Sequence, residues 1–99
     1  MITSKQRAYL RSMANTMETI LIVGKGGVGA EVIKQADDAL TAREIFKGKV
    51  LETSIENVRE VAATLAESTN AEIVQIIGTK FVLYRRNDEK PKIILPKSR

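Results

Sequence analysis

The sequence predicts a small α/β domain, a two-layer α+β sandwich whose elements run in the order α-β-α-β-α-β-β. Two observations predict this class. Apolar runs that are typical of strands are separated by segments whose apolar residues recur at helical spacing. The last two strand-like runs meet at a single glycine, which predicts a closing antiparallel hairpin. With 99 residues and 43% hydrophobic content, the chain suits one such domain.

The first half of the chain predicts two helices with a strand between them. Residues 3–6, "TSKQ", match the capping box, so a first helix is expected over about 4–15. "TILIV" at 19–23 is a continuous apolar run that ends in glycine, which is typical of a buried strand. After a glycine-rich loop, apolar residues at helical spacing predict a second helix that ends near Thr41.

The second half predicts a strand, a third helix, a hairpin and a tail. "TSIE" at 53–56 is a second capping-box match, placed just before the third helix. The strand is expected over 43–51 and the third helix over 55–69. The two hairpin strands are expected over 71–78 and 79–86, and the tail over 87–99. The tail is charged and holds both prolines, and we expect its residues 93–95 to dock on the domain formed by residues 1–86.

The lengths of the connections predict the strand directions. Long crossovers make the first three strands parallel, and the short last link makes the fourth antiparallel. Right-handed crossovers that wind in one sense would place all three helices on one face of the sheet and leave the other face open. By alternation, the residues expected on the open face are Lys47, Lys49, Lys80, Tyr84 and Arg86.

Composition argues against an enzyme. The chain has no cysteine and no histidine, so it lacks thiolate metal ligands, the commonest general base and the commonest transition-metal ligand. The acidic pairs Asp37/Asp38 and Glu56/Glu60 fit solvated helix faces. We therefore expect no catalytic residue, no cofactor, no metal and no small-molecule substrate. No apolar run approaches the ~18 residues that cross a membrane, so a cytoplasmic protein is expected.

The charges are unevenly distributed along a chain of net charge +4. Residues 1–25 hold four basic residues against one acidic, and residues 80–99 hold seven against two. Residues 52–79 reverse the balance, with five glutamates against one arginine. This asymmetry is compatible with an ordinary solvated surface, and equally with a basic face for a polyanion and an acidic face turned away from it.

The loop "GKGGVG" at residues 24–29 matches three glycine signatures. A dinucleotide fingerprint requires a doubly wound sheet with helices on both faces. The closing hairpin uses the rest of the chain, so too few residues remain to build such a sheet. A phosphate loop of nucleotide triphosphatases requires lysine and then serine or threonine, whereas Ala30 and Glu31 follow here. The third signature is the G-x-x-G loop of RNA-binding modules, which clamps a nucleic-acid backbone. A fourth possibility remains open, that the glycines serve only the geometry of the turn.

Three stretches in order resemble the CRM domain, the chloroplast RNA splicing and ribosome maturation domain, in its bacterial stand-alone (YhbY-like) form. They are "TSKQRAYLR", the "GKGG" loop before "VIKQADDALTARE", and "VQIIGTKFVLYR". The resemblance covers residues 2–86 and extends into "KPKIILP". It implies a sheet in the order 1-2-4-3, similar to the C-terminal domain of bacterial translation initiation factor three. It also implies RNA binding and association with the precursor of the large ribosomal subunit.

The resemblance and the charge pattern together predict the residues that contact RNA. The G-x-x-G loop carries over to Gly24, Lys25, Gly26 and Gly27. The basic residues expected to join it are Lys5, Arg7 and Arg11 on the first helix, near the loop, and Lys80 and Arg86 at the last strand. Two positions depart from the family pattern: Thr79, where relatives tend to have a basic residue, and Gly48, which interrupts a strand.

Two further interpretations accompany the main one. Phe46, Phe81 and Leu83 are expected in the core, whereas Tyr84 alternates with Phe81 and Leu83 and could stack on a base. We expect a monomer that binds ribosomal RNA, with no membrane contact. The alternative is a protein-interaction module that reaches the ribosome through a protein partner, using the acidic third helix.

Overall fold

The computed structural model describes residues 2–96, and its elements follow the predicted order. The helices are α1 (Ser4–Ala14), α2 (Ala30–Arg43) and α3 (Val58–Thr69). The strands are β1 (Thr19–Val23), β2 (Ile45–Val50), β3 (Glu72–Ile77) and β4 (Lys80–Tyr84). Met1 and the last three residues of the predicted tail, 97–99, lie outside the described part of the chain.

The sheet is mixed and has the strand order β1-β2-β4-β3. β1 pairs with β2 in parallel, and β4 lies antiparallel between β2 and β3. The α/β class, the strand directions and the order 1-2-4-3 are therefore confirmed. Because β4 fills the gap between β2 and β3, β1 and β3 form the two edges of the sheet.

One cap is predicted correctly and one is not. Thr3 and Gln6 form the expected capping box at the start of α1. α3 begins later than "TSIE" predicts, because its cap is Asn57, whose side chain accepts the Glu60 N–H while Glu60 bonds back to the Asn57 N–H. The Glu56 carboxylate accepts a hydrogen bond from the Val28 N–H instead.

The helices lie on both faces of the sheet, so the prediction of three helices on one face is wrong for α1. α2 and α3 cover one face, in a cluster that includes Leu40, Leu65 and Phe46. Leu10 and Ala14 of α1 pack on the opposite face, against a second set of strand residues: Ile45, Val74, Val82 and Tyr84. The handedness rule governs helices that connect parallel strands. α1 precedes β1 and connects no strands, so the rule does not determine its face.

Gly48 accommodates an aromatic ring. A Cβ added there would lie 2.3 Å from Cζ of Phe81, whose ring packs edge to face with Phe46 at a centroid distance of 6.1 Å. No larger residue fits while Phe81 keeps this position. The sequence suggests that Gly48 weakens β2, but in the structure the missing side chain leaves the space that the Phe81 ring fills.

Glu44 holds the C-terminal segment against the domain. It ends α2 in a left-handed conformation with φ of 67°, and its side chain is buried. The carboxylate accepts hydrogen bonds from the N–H groups of Asn87, Lys92 and Ile93, at 2.6, 2.7 and 2.7 Å. Ile93 and Leu95 then pack against the cluster beneath α1.

The same contacts determine the ionisation of Glu44. Burial by itself would raise the pKa of this carboxyl group. The backbone N–H groups of Asn87, Lys92 and Ile93 favour the charged form, with a further contribution from the positive charge of Arg86. The net effect lowers the pKa below its ordinary value, so the docked segment stabilises a charged Glu44.

We expect Gly48→Ala to lower the free energy of unfolding by about 1–3 kcal/mol, the usual cost of overpacking a core. The physical reason is the overlap between the new methyl group and the Phe81 ring. Urea denaturation measures the change. In a Phe81→Leu background the overlap is relieved and the same substitution should cost less. An equal cost in both backgrounds would contradict this account.

We expect Glu44→Gln to lower the free energy of unfolding near neutral pH by about 1–3 kcal/mol. The reason is that the glutamine amide is neutral and has one acceptor oxygen, whereas both oxygens of the Glu44 carboxylate accept the backbone N–H groups of the docked segment. A carboxyl group with a lowered folded-state pKa stabilises the protein above its unfolded pKa, and this contribution is lost as pH falls through the folded value. The wild type should thus approach the variant well below pH 4.5, the ordinary value for this group. Urea denaturation at both pH values tests this, and a difference independent of pH would refute it.

Candidate nucleic-acid interface

The glycine loop connects the end of β1 to the start of α2 at the surface of the domain. Gly24 to Gly27 form a turn in which the Gly27 N–H donates to the Gly24 carbonyl oxygen at 3.0 Å. Gly29 is the N-cap of α2 and supplies no side-chain cap. The first amides of α2 therefore carry the partial positive charge of a helix N-terminus without a side-chain acceptor from the cap residue.

Only one of the two central glycines is required by the fold. Gly27 has φ of +66°, and a Cβ there would lie 3.0 Å from Oε1 of Glu56. Gly26 has no positive φ, and a Cβ added to it would meet no atom within 4 Å in the part of the chain that the structure describes. Turn geometry accounts for Gly27, but it gives no reason for glycine at position 26.

Glu56 supports the loop from beneath. Its Oε1 accepts a hydrogen bond from the Val28 N–H at 3.2 Å, and Val28 packs against the core of the α2 and α3 side. The Val28 amide is consequently already bonded within the protein, whereas the Lys25 side chain at the tip of the loop is exposed. Sequence patterns did not identify Glu56 as a supporting residue, because its partner is 28 residues away.

The basic residues of α1 lie away from the loop, contrary to our expectation for Lys5 and Arg7. The start of α1 is fixed to the start of β3, since the Ile2 N–H donates to the Glu72 carboxylate and Arg7 donates to the Ile73 carbonyl. The loop follows β1, which three inter-strand spacings, or about 14 Å, separate from β3. It also lies at the opposite end of the strands. Arg11, in the last turn of α1, is exposed.

The two basic residues predicted at the last strand lie at its two ends. Lys80 begins β4, at the end of the sheet where the glycine loop lies, and is exposed. Arg86 follows β4 at the other end, is exposed, and forms an ion pair with Asp88 at 3.3 Å. The predicted site residues thus form two groups, one at the loop and one near the start of α1, with Arg11 on the helix that runs from the second group toward the middle of the sheet.

Tyr84 is not available for stacking. Its side chain is 3% exposed and lies beneath α1 and the docked tail. Burial raises the pKa of its hydroxyl group, with a smaller contribution from Glu44. The expected core positions of Phe46, Phe81 and Leu83 are confirmed.

The acidic pairs are used within the protein. Asp37 pairs with Arg85 at 2.6 Å, Asp38 pairs with Lys34 at 2.8 Å, and Glu60 caps α3. Within residues 2–96, no group of three acidic side chains is arranged to hold a metal ion. In the same part of the chain, no helix is long and apolar enough to cross a membrane.

Charge differs between the two faces of the sheet. α1 carries three basic residues and no acidic one. The strand residues on the α1 face add Lys47, Lys49 and Lys80 against one acidic residue, Glu72, which is in register with Tyr84. α2 and α3 together carry five acidic against three basic residues. The more basic side is therefore the one on which α1 lies.

Comparison with known proteins agrees with this fold. The sequence model of the CRS1 / YhbY (CRM) domain matches residues 2–85. This chain belongs to the CRM domain family. The match includes α1, the glycine loop and all four strands, and it ends within the Tyr84–Arg86 segment from which the docked tail departs.

Relatives of similar length support the assignment. The probable RNA-binding protein YqeI of Bacillus subtilis is 43% identical, over 97% of this CRM chain and all of its own. An RNA-binding protein of Haemophilus influenzae is 30% identical, over 97% of this chain and 96% of its own. A solution structure from Staphylococcus aureus, described as a candidate RNA-binding protein, has a TM-score of 0.80 at 45% identity, over 97% of this chain and all of that one.

The two central glycines give a paired test of the loop geometry. We expect Gly27→Ala to lower the free energy of unfolding by about 1–2 kcal/mol, because a left-handed conformation is strained for alanine. Gly26→Ala should leave stability almost unchanged, since its new methyl group meets no neighbour. Urea denaturation compares the two variants. A loss at Gly26 as large as that at Gly27 would show that the loop needs both glycines for its own fold.

Proposed function

We propose that this chain is an RNA-binding protein that clamps an RNA backbone at Gly24–Gly27 and docks it electrostatically on the side of the sheet where α1 lies. The observation that carries the proposal is Gly26. It lies exposed beside Lys25, and among residues 2–96 neither a close neighbour nor a positive φ requires a glycine there. A residue without a side chain allows a sugar-phosphate chain to approach the backbone closely.

The distribution of charge supports the same partner. A polyanion is attracted to the α1 side and repelled by the acidic residues of α2 and α3. The relatives named above as RNA-binding proteins match this sequence over nearly the whole chain. Because the predicted contacts are to the backbone, they position RNA without distinguishing its bases, and we propose low sequence specificity.

The two groups of basic residues bind separate parts of one RNA in this proposal. Lys25 and Lys80 contact the segment at the glycine loop. Lys5, Arg7, Arg11 and Arg86 contact a segment farther along the α1 side. Arg7 contributes through its charge, since its guanidinium already donates to the Ile73 carbonyl.

The cellular role that we propose is assistance in maturation of the large ribosomal subunit, by a monomer that binds precursor ribosomal RNA in the cytoplasm without catalysis. The resemblance to the bacterial stand-alone form of the CRM domain supports this role. Crosslinking in cells, followed by sequencing of the recovered RNA, tests it. Recovery of large-subunit precursor fragments is the expected result, and recovery of unrelated RNA alone would overturn this part of the proposal.

The protein-interaction alternative has less support. It relies on Glu56 and Glu60 as an acidic docking surface, but both carboxylates bond to backbone amides of this chain. Charge reversal at these positions would disturb the glycine loop and the cap of α3. A loss of docking in such variants would therefore have two explanations. Either an acidic contact with the partner protein is lost, or the loop and the helix cap are disturbed.

We expect Lys25→Ala to weaken binding to structured ribosomal RNA and to reduce the slope of log affinity against log salt by about 0.7–0.9, the effect of one phosphate contact. Fluorescence anisotropy across a salt series measures both quantities. Lys34→Ala is the matched control, because it removes the same charge from α2 on the other side of the sheet. If Lys25→Ala and Lys34→Ala bind alike, the loop is only a turn.

A further inference from the structure

Three lysines form an uncompensated patch on the open part of the α1 face. We define the lysine patch as Lys47, Lys49 and Lys80. Lys49 and Lys80 are directly opposite each other in the antiparallel pairing of β2 and β4. Lys47 lies two residues from Lys49 and so on the same face of the sheet.

This arrangement is unfavourable for the protein alone. Like charges directly opposite each other on neighbouring strands destabilise a sheet. Among residues 2–96, the ion pairs involve Lys34, Arg85 and Arg86, and no carboxylate pairs with the lysine patch. The neighbours in register on the outer strands are uncharged: Thr19 and Ile22 on β1, and Gln75 and Ile77 on β3.

α1 leaves the patch partly accessible: Lys80 is exposed, and Lys47 and Lys49 are half-buried. Near the start of β3, Tyr84 and Val74 are buried beneath α1. At the other end, Ile22 and Ile77 are 58% and 61% exposed on either side of Lys49 and Lys80. Asn15, just after α1, lines a shallow cavity of about 100 Å³ together with two of the lysines.

The patch is continuous with the glycine loop. Ile22 is separated from Gly24 by one residue and pairs with Lys49, and Lys49 pairs with Lys80. The Leu51 N–H donates to the Val23 carbonyl oxygen at 2.8 Å, which extends the β1–β2 pairing up to the loop. With strands about 4.8 Å apart, Lys49 and Lys80 lie at roughly 5 and 10 Å from β1.

We infer that the lysine patch is a second RNA contact, which binds the phosphates of an unpaired RNA segment as it leaves the glycine loop and crosses β2 and β4. The inference rests on the proposed function. An unpaired segment fits better than a duplex, because exposed Ile22 and Ile77 offer apolar contact to sugars and unstacked bases, which a duplex keeps inside. Bound phosphates neutralise the repulsion between Lys49 and Lys80, so binding removes an electrostatic cost of the free fold.

The inference predicts opposite effects on binding and on stability. The probe is a single-stranded RNA oligonucleotide, measured by anisotropy over a salt series. Lys49→Gln and Lys80→Gln should each reduce the salt slope by about 0.7 and weaken binding near physiological salt about fourfold. Each should also raise the urea midpoint, because the like-charge pair is removed. A residue with only a structural role would not give this combination.

Two controls isolate the patch. Lys49→Arg keeps the charge and should retain the salt slope, which also shows that the position tolerates substitution. Lys34→Gln removes a lysine from α2 and should leave the slope unchanged. An RNA duplex has no unstacked bases for Ile22 and Ile77, so we expect it not to follow the strands across the patch. With a duplex as the probe, the difference between the wild type and the patch variants should therefore be smaller.

The outcomes separate this inference from the proposed function. If the wild type binds no RNA, the proposed function fails. If Lys25→Ala weakens binding while Lys49→Gln, at a position outside the site of the proposed function, binds as the wild type does, the inference fails and the proposed function remains. It also fails if the patch variants lose affinity for a polyglutamate peptide but keep their RNA affinity, because the patch would then bind an acidic protein.

Discussion

The two-sided burial of β2 and β4 is the constraint on which the rest of the structure depends. Both strands lie in the middle of the sheet, so each contributes alternate residues to two different layers. One set meets α2 and α3 along the whole strand. The other set meets α1 and the tail at one end and solvent at the other. Because the cover is incomplete, one end of the α1 side is buried and the other end, which holds the three lysines, is partly open to solvent.

Much of the fold follows from local patterns in the sequence. Hydrophobic periodicity, the Thr3 capping box and the Gly78 turn predict the elements, and connection lengths predict strand direction. The face of α1 is different, because it depends on which side of the finished sheet remains uncovered. The roles of Glu44 and Glu56 are also absent from local patterns. Each bonds to backbone amides tens of residues away, and only the folded chain brings them together.

The sequence predicts which residues belong to the candidate site, but it does not predict where all of them lie in the fold. The glycine loop follows from its spacing, and the resemblance to the CRM domain favours one of several signatures with that spacing. Strand alternation predicts that Lys47, Lys49 and Lys80 share a face, and the structure has them so. It also groups Tyr84 with them, yet Tyr84 is buried because α1 and the tail cover that end of the face. Alternation assigns a residue to a face, but exposure depends on what packs there.

The tail bound by Glu44 has a consequence for where this protein can be divided. The family match ends at residue 85, before the three amides that satisfy the Glu44 carboxylate. A chain truncated at that limit would keep a buried acid without its donors and would uncover Tyr84. We therefore expect the smallest autonomous folding unit to extend through Leu95, so a fusion or an isolated domain should be joined beyond that residue. The limit of sequence similarity and the limit of cooperative folding thus differ by the ten residues 86–95, whose backbone amides keep a buried charge satisfied.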